Sequence, residues 1–363
     1  MTRIPDPLPP PGEGFTSASA VQWLACALLC IGVGAATAAF VRSTVRSARP
    51  PPAIAQFTDK LAFWRAHEAE FDVLIFGTSS VYRGIDPLVF DAETARRGYA
   101  TRTFNASLPG LKFADEAAFL REYVDAAGAS LRWVLVEPNI RVFLKFENVD
   151  RERVTRVHDL PNTLDLLRLV AASPFDFGDK LGFAANHVLA ATYRAAGAGE
   201  IARLIRPAMP PRADPDLARH HGFVSIEATY PDEMRIRDLA FSKLLAGLRD
   251  GTIPADFVND DSSLLPAVAT ERFLEIADGV SRRARIAWLV MPYFGRSIAQ
   301  RFRNSYAAGD IPGVLLDLED PVGSPRARNP RFFSDRTHLN SLGARRTSKH
   351  LAKRFVSNAL EAP

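Results

Sequence analysis

Short apolar runs alternate with segments of helical periodicity over most of this chain. Each run is four to seven residues long and bounded by turn residues, as is typical of buried strands. Such runs predict strands at residues 71–77, 131–137, 285–291 and 314–318, and a short further strand, which is not an apolar run, is predicted at 101–105.

Amphipathic helices are predicted between these strands. Asp86 as N-cap, Pro87 at the first helical position and Gly98 after the last turn mark one such helix. Four more are predicted at 112–127, 264–281, 297–307 and 340–360. Strands that alternate with helices imply a parallel sheet with right-handed crossovers. The expected fold is therefore an α/β three-layer sandwich, flavodoxin-like, with a five-stranded parallel sheet.

The alternation stops at residues 141–231, which is interpreted as a helical insertion. Helical periodicity is present at 163–170 and 177–196, and a Pro-rich interval covers 207–215.

The N-terminal region contains a long apolar run. Residues 20–41 are almost wholly apolar, and roughly 20 residues suffice to span a bilayer. The sequence thus predicts a Pro-rich tail (1–19), a transmembrane anchor (20–41), a linker (42–54) and one domain (55–363). A cleaved signal peptide is the alternative, since Ala36-Thr37-Ala38 fits a small-x-small cleavage site.

Two features give opposite predictions for the side of the membrane on which the domain lies. Arg42, Arg46 and Arg49 follow the span, and the positive-inside rule would keep them in the cytoplasm. Cys26 and Cys30 both lie inside the span, however, and a domain without cysteine suits an oxidising compartment.

Composition narrows the choice of function. The 363 residues are 47% hydrophobic, enough for a substantial core, and carry a net charge of only +4. No basic block is interleaved with aromatic residues, so nucleic acid is not an expected partner.

Residues that could form a Ser/His/Asp site stand in two distant segments. Ser79 directly follows the first strand, whereas Asp335 and His338 lie three residues apart before the last helix. An Asp can orient a His, and that His can activate a serine. Asn105, Gly110 and Asn139 also follow strands, and the carboxyl ends of parallel strands share one edge, where ligands bind.

Structural roles are the alternatives for the same residues. Thr78-Ser79-Ser80 can be a turn or a helix cap, Asp335 can cap the final helix, and Asn139 can cap a turn. His220-His221 lacks the ligand spacing of a metal site, and Gly77-Thr78-Ser79 lacks the further glycines and lysine of a phosphate loop. No metal and no cofactor are expected.

With these motifs the chain resembles the SGNH (GDSL-like) hydrolase superfamily, in its membrane-anchored branch, which includes proteins of alginate O-acetylation and of D-alanyl transfer to teichoic acid. Gly77-Thr78-Ser79 matches the nucleophile block, Gly110 the second-block glycine, and Asp335-x-x-His338 with Leu339-Asn340-x-x-Gly343 the last block. Asn139, in Glu137-Pro138-Asn139-Ile140, replaces the usual Gly-x-Asn-Asp.

The resemblance implies a role for each matching residue. Ser79, His338 and Asp335 are the expected catalytic triad, the oxyanion hole comprises Ser79, Gly110 and Asn139, and Asn105 and Ser80 are candidate substrate contacts. The implied protein is an esterase or O-acyltransferase, anchored in the bacterial inner membrane with its domain outside the cytoplasm. Its expected substrate is an envelope polysaccharide or another acylated molecule.

Two other functions remain open. The first is a non-catalytic partner or glycan-docking subunit of a multi-span membrane O-acyltransferase, with the insertion as interface. The second is a cytoplasmic flavodoxin-like binding domain, which the positive-inside rule would favour.

Overall fold

The structure, a computed structural model, describes residues 52–139, 152–197, 217–229, 231–232, 234–250, 265–293, 299–319 and 329–360, with five separate helical positions between residues 25 and 40. Within these residues, no helix combines the length and apolar character needed to cross a membrane. Apart from those five positions, the predicted anchor at 20–41 lies outside the described residues. The same is true of the tail at 1–19, most of the linker and the Pro-rich interval at 207–215.

Five parallel strands form one sheet, as the sequence predicts. The strand order is β2-β1-β3-β4-β5. Each strand lies inside the predicted run and is shorter than it, since the run includes the loop residues at each end. The strands are β1 (Val73–Phe76), β2 (Thr103–Asn105), β3 (Trp133–Val136), β4 (Arg285–Val290) and β5 (Val314–Asp317).

Thirteen helices are present in the described part of the chain, and the sequence pattern predicts seven of them. They are α1 (Pro52–His67), α2 (Ser79–Gly84), α3 (Pro87–Ala95), α4 (Phe113–Asp125), α5 (Glu152–Val157), α6 (Leu160–Ala172), α7 (Phe177–Ala195), α8 (Leu217–His220), α9 (Ile226–Thr229), α10 (Met234–Arg249), α11 (Ala267–Ser281), α12 (Gln300–Ala307) and α13 (Ser341–Phe355).

The sheet separates two hydrophobic cores, which gives the expected three layers. Because side chains alternate along a strand, Leu74 and Phe76 of β1 point to one face and Val73 and Ile75 to the other. Helices α1, α4 and α11 contribute to the first core, and α3, α10 and α13 to the second. Both faces of the sheet are therefore covered by helices.

Helix α1 begins inside the predicted linker. Pro52 is its first residue, a position where proline is tolerated because the first turn needs no N–H donor. Phe57, Leu61 and Trp64 are buried in the first core, and Trp64 Nε1 donates to the Tyr123 carbonyl at 3.0 Å. The folded domain thus starts a few residues before the predicted boundary at 55.

Helix α10 lies beyond the predicted end of the insertion at residue 231. Phe241 is buried in the second core, and Leu244 and Leu245 pack against that core. This docking brings the N-terminal half of α10 to the sheet edge that carries the site described next.

Candidate active site

The candidate site lies at the topological switch point of the sheet. From β1 the chain crosses to β2 on one side, and the next crossover returns past β1 to β3 on the other side. Strand β1 pairs with β2 on one side and with β3 on the other. In open parallel sheets, ligands bind in the crevice beyond the carboxyl ends of two such strands. Residues 78–80, which follow β1, and 137–139, which follow β3, line this crevice.

Ser79 is the first residue of α2 and follows β1 directly. The Thr78 side chain caps this helix by accepting from the Ser80 N–H, and the Thr78 carbonyl accepts from Tyr82 N–H at 3.0 Å. In a trans peptide the C=O and the following N–H point in opposite directions. The Ser79 N–H therefore points away from the body of α2.

A continuous chain of hydrogen bonds joins Ser79, His338 and Asp335. His338 Nε2 lies 2.9 Å from Ser79 Oγ, and His338 Nδ1 lies 2.8 Å from Asp335 Oδ2. With its proton on Nδ1, the imidazole presents Nε2 as the acceptor for the serine hydroxyl. The structure thus brings together the three residues that the sequence proposes as a triad.

Asp335 is held as a carboxylate by several donors. Its Oδ1 accepts from the backbone N–H groups of Thr337 and His338 at 2.8 and 2.9 Å. Its Oδ2 accepts from Arg237 Nη1 of α10 at 3.0 Å, a contact that no sequence motif indicated. Partial burial would raise the pKa of Asp335, but the hydrogen bonds and charge of His338, with the backbone donors, hold that pKa well below its usual range.

The loop that carries Asp335 and His338 is closed at its base. Phe333 and Leu339 form an antiparallel bridge, and Asn340 N–H donates to the Phe332 carbonyl at 3.0 Å. The Asn340 side chain caps α13 by accepting from Gly343 N–H at 2.9 Å. A Cβ on Gly343 would overlap the Phe332 carbonyl oxygen, which explains the need for glycine there.

A cavity of about 210 Å³ opens beside Ser79. Gly110 and Asn139, the two other candidates for the oxyanion hole, both line it. Among the described residues, the lining comprises Thr78, Ser79, Ser80, Gly110, Leu111, Glu137, Pro138, Asn139, Tyr293 and Thr337. This lining contains a carboxylate but neither lysine nor arginine.

Gly110 and Asn139 are each fixed by neighbours. Gly110 adopts a φ of 67°, which suits glycine, and Arg153 Nη1 donates to the preceding carbonyl of Pro109 at 2.8 Å. Asn139 Nδ2 donates to the Leu111 carbonyl at 2.9 Å. An amide nitrogen carries two protons, so this bond uses only one of the two available donors.

Asn105 occupies a structural position. It is fully buried, and its Nδ2 donates to the carbonyls of Val81 and Ile85 at 3.1 and 2.9 Å. Its Oδ1 accepts from Ser107 N–H at 3.1 Å. Asn105 thus joins the β2 loop to α2, and these bonds do not fit the substrate contact expected from the sequence.

Ser80 lines the cavity, as expected for a substrate contact, yet it is 3% exposed. Its hydroxyl donates to Glu137 Oε1 at 2.7 Å and lies 3.0 Å from the Tyr293 hydroxyl. The structure therefore places Ser80 in an internal hydrogen-bond network beside Ser79.

Glu137 and Tyr293, like Arg237, are members of this site that the sequence does not reveal. Glu137 directly follows β3 and is 4% exposed, and its Oε2 accepts from Thr78 N–H at 2.7 Å. Tyr293, after β4, donates to Glu137 Oε1 at 3.0 Å. A buried carboxylate at a strand end was the one available signal, because such a group needs donors nearby.

A second buried carboxyl lies behind Asn139. Burial raises the pKa of Glu116 well above its usual range, against the lowering effect of the hydrogen bond from Asn139 N–H. The Glu116 side chain on α4 is fully buried. It supports the Asn139 turn from within the first core.

Within the described residues, no group of three or more His, Cys, Asp or Glu side chains could hold a metal ion. His220, considered above with His221 as a metal pair, is the last residue of α8, and His221 lies in the following turn with a φ of 47°.

Comparison of the chain with models of known protein families finds no matching family. Comparison with curated proteins also finds no match.

Proposed function

We propose that this protein is a membrane-anchored serine esterase or O-acyltransferase of the SGNH type, acting on an acyl ester of a cell-envelope polysaccharide. The supporting observation is the hydrogen-bond chain from Ser79 through His338 to Asp335, with distances of 2.9 and 2.8 Å, at the switch point of a parallel sheet. The SGNH assignment and the envelope substrate rest on the sequence resemblance.

In the proposed reaction, Ser79 Oγ attacks the carbonyl carbon of the ester and its proton passes to His338 Nε2. The tetrahedral intermediate collapses when the bond to the leaving oxygen breaks, and that oxygen takes the proton from His338. An acyl-serine is left on Ser79. Water then completes hydrolysis, or a sugar hydroxyl completes transfer, by the same proton route in reverse.

Three groups are proposed to stabilise the oxyanion. The Ser79 N–H points away from α2, and Gly110 and Asn139 line the same cavity. Loss of one such donor typically costs about 3 kcal/mol of transition-state stabilisation. Asn139 contributes through the amide proton that is not bonded to Leu111.

The test is ester turnover by the purified full-length protein in detergent, with p-nitrophenyl acetate as substrate. An acyl-serine route predicts a rapid burst that approaches one p-nitrophenolate per protein molecule, followed by slower turnover. Ser79→Ala should remove both phases. Absence of any turnover above that of Ser79→Ala would contradict the proposal.

A non-catalytic docking subunit of a membrane O-acyltransferase is the second candidate. Exposed apolar side chains on α6 and α7 favour it, with Leu160 73%, Phe177 82% and Leu181 61% exposed. Under this reading the protein would bind its partner normally when Ser79 is replaced by alanine, and no ester would be cleaved.

A further inference from the structure

Glu137 is a buried carboxylate that contacts residues on both sides of the proposed nucleophile. Its Oε2 accepts from the Thr78 N–H at 2.7 Å and from the Thr78 hydroxyl at 2.8 Å. Its Oε1 accepts from the Ser80 hydroxyl at 2.7 Å and from the Tyr293 hydroxyl at 3.0 Å. Ser79 itself makes none of these four bonds, yet both of its chain neighbours do.

The contact between Glu137 and the turn is also close in space. A Cβ on Gly77 would stand 2.7 Å from Glu137 Cβ and 2.8 Å from its Oε2. Only glycine leaves room for the Glu137 side chain to cross from β3 to the end of β1. The glycine of the nucleophile block and this carboxylate therefore fit one another.

The chemistry of the donors requires an acceptor on the Thr78 side. A backbone N–H can only donate, so the atom at the Oε2 position must accept. The hydroxyls of Ser80 and Tyr293 can donate or accept, so the atom at the Oε1 position is less restricted. A glutamine can satisfy both sides with its carbonyl oxygen toward Thr78, whereas an alanine satisfies neither.

We propose that Glu137 is a positioning residue, which holds the Thr78-Ser79-Ser80 turn so that Ser79 Oγ faces His338 and the Ser79 N–H faces the cavity. This inference rests on the proposed function and adds a residue to it. Glu137 acts through Thr78, because Thr78 belongs to the same peptide unit as the Ser79 N–H. Displacement of that turn by about 1 Å is enough to cost about 100-fold in rate.

The experiment compares Glu137→Ala and Glu137→Gln in the full-length protein. The rate constant for labelling by a fluorophosphonate probe is measured, together with kcat and KM for p-nitrophenyl acetate. Glu137→Ala should lower the labelling rate and kcat about 100-fold with KM nearly unchanged, and Glu137→Gln should restore both to within about tenfold of the parent.

The matched controls are Glu93→Ala and Glu93→Gln. Glu93, on α3, is comparably buried at 7% exposed. It pairs with Arg96 and Arg97, which directly follow that helix, and the bonds described for it involve none of the site residues. Both controls should leave the labelling rate within about twofold of the parent.

Thr78→Val provides a second route if Glu137→Ala does not fold. This variant removes the hydroxyl bond to Oε2, together with the bonds of that hydroxyl to the Ser80 N–H and Ser80 hydroxyl, and keeps the bond from the Thr78 N–H to Glu137. The labelling rate should therefore fall by about tenfold. Equal labelling rates for the parent, Thr78→Val and whichever Glu137 variants fold would overturn the positioning role alone. An unlabelled parent protein would overturn the proposed function as well, so the two failures are distinguishable.

Discussion

His338 Nε2 lies 2.9 Å from Ser79 Oγ, although 259 positions separate the two residues in the chain. Ser79 follows β1 and His338 follows β5, which lies three strands away in the sheet. Three strand spacings amount to roughly 14 Å, so the chain must return along the sheet edge to bring the imidazole to the serine. The closed loop at Phe333 and Leu339 holds it there.

Replacement of Asp335 and of His338 should lower esterase activity non-additively. His338→Ala should remove nearly all esterase activity, and Asp335→Asn should cost less, because the imidazole keeps some basicity without its orienting carboxylate. The double variant should be hardly worse than His338→Ala alone, since both residues serve one proton transfer. Esterase kinetics on the three variants check this.

Thermal midpoints provide the control for that comparison. Asp335 and His338 are partly exposed, so their replacement should change the midpoint little. If each single variant unfolded the domain or kept its activity, the pair would be a structural cap at α13. The non-catalytic docking function would then be favoured.

Glu116→Gln should stabilise the protein at neutral and alkaline pH. The raised pKa of Glu116 means that the folded state favours the protonated carboxyl, so stability is fully present below the unfolded pKa of about 4.3. That stability is lost as pH rises through the folded pKa. Glutamine mimics the protonated form, so the thermal midpoint should rise by a few degrees at pH 8 and change little at pH 4.

Thermal scans of the parent and Glu116→Gln across this pH range measure the effect. Only the parent can ionise at position 116, so the gap between the two thermal midpoints should widen as the pH rises. A gap that is constant with pH would show that Glu116 is not titrating.

The acyl group that reacts should be uncharged or cationic. The cavity beside Ser79 is lined by the Glu137 carboxylate and, among the described residues, by no lysine or arginine. A like charge held close to a buried carboxylate is strongly unfavourable. The kcat/KM for p-nitrophenyl acetate should therefore exceed that for p-nitrophenyl hemisuccinate by about tenfold or more.

Glu137→Gln is the matched variant for this test. Removal of the negative charge should narrow the difference between the two esters without reversing it. Faster reaction with the hemisuccinate in the parent protein would mean that a cationic group serves the acyl site.

The apolar run at residues 20–41 should keep the intact protein in the membrane fraction through an alkaline carbonate wash. The wash removes peripheral proteins, so retention indicates a spanning segment. Immunoblotting of pellet and supernatant measures it. Release of a shorter species that starts near Ala39 would indicate a cleaved signal peptide instead.

The sheet was predictable because four of its five strands lie in largely apolar runs bounded by turn residues. The α3 helix was equally clear, since Asp86 accepts from the N–H groups of Leu88 and Val89 as an N-cap should. Helix α1 was not, because the proline run before it suggested an extended linker. Its buried residues Phe57, Leu61 and Trp64 have the i, i+4, i+7 spacing of one helix face, but this short pattern stands directly after the prolines.

The candidate site also contains residues that the sequence predicted and residues that it did not. The triad followed from two short motifs and the rule that strand ends share an edge. Arg237 and Glu137 did not. A lone arginine on a helix carries no signal until its partner is known, and the one signal for Glu137, its position at the end of an apolar strand, does not identify its donors. The same holds outside the site. His158 Nε2 lies 3.0 Å from His187 Nδ1, and only the folded structure shows that these two histidines are paired.

The most direct test of the account is to map where a fluorophosphonate probe attaches to the full-length protein. Peptide mass spectrometry should find the adduct on Ser79, because its hydroxyl lies 2.9 Å from His338 Nε2, the base that would activate it. Ser79→Ala should abolish labelling, whereas Ser80→Ala should keep most of it. Equal labelling of the Ser79→Ala protein, or an adduct that maps to another residue, would contradict the assignment of Ser79 as the nucleophile.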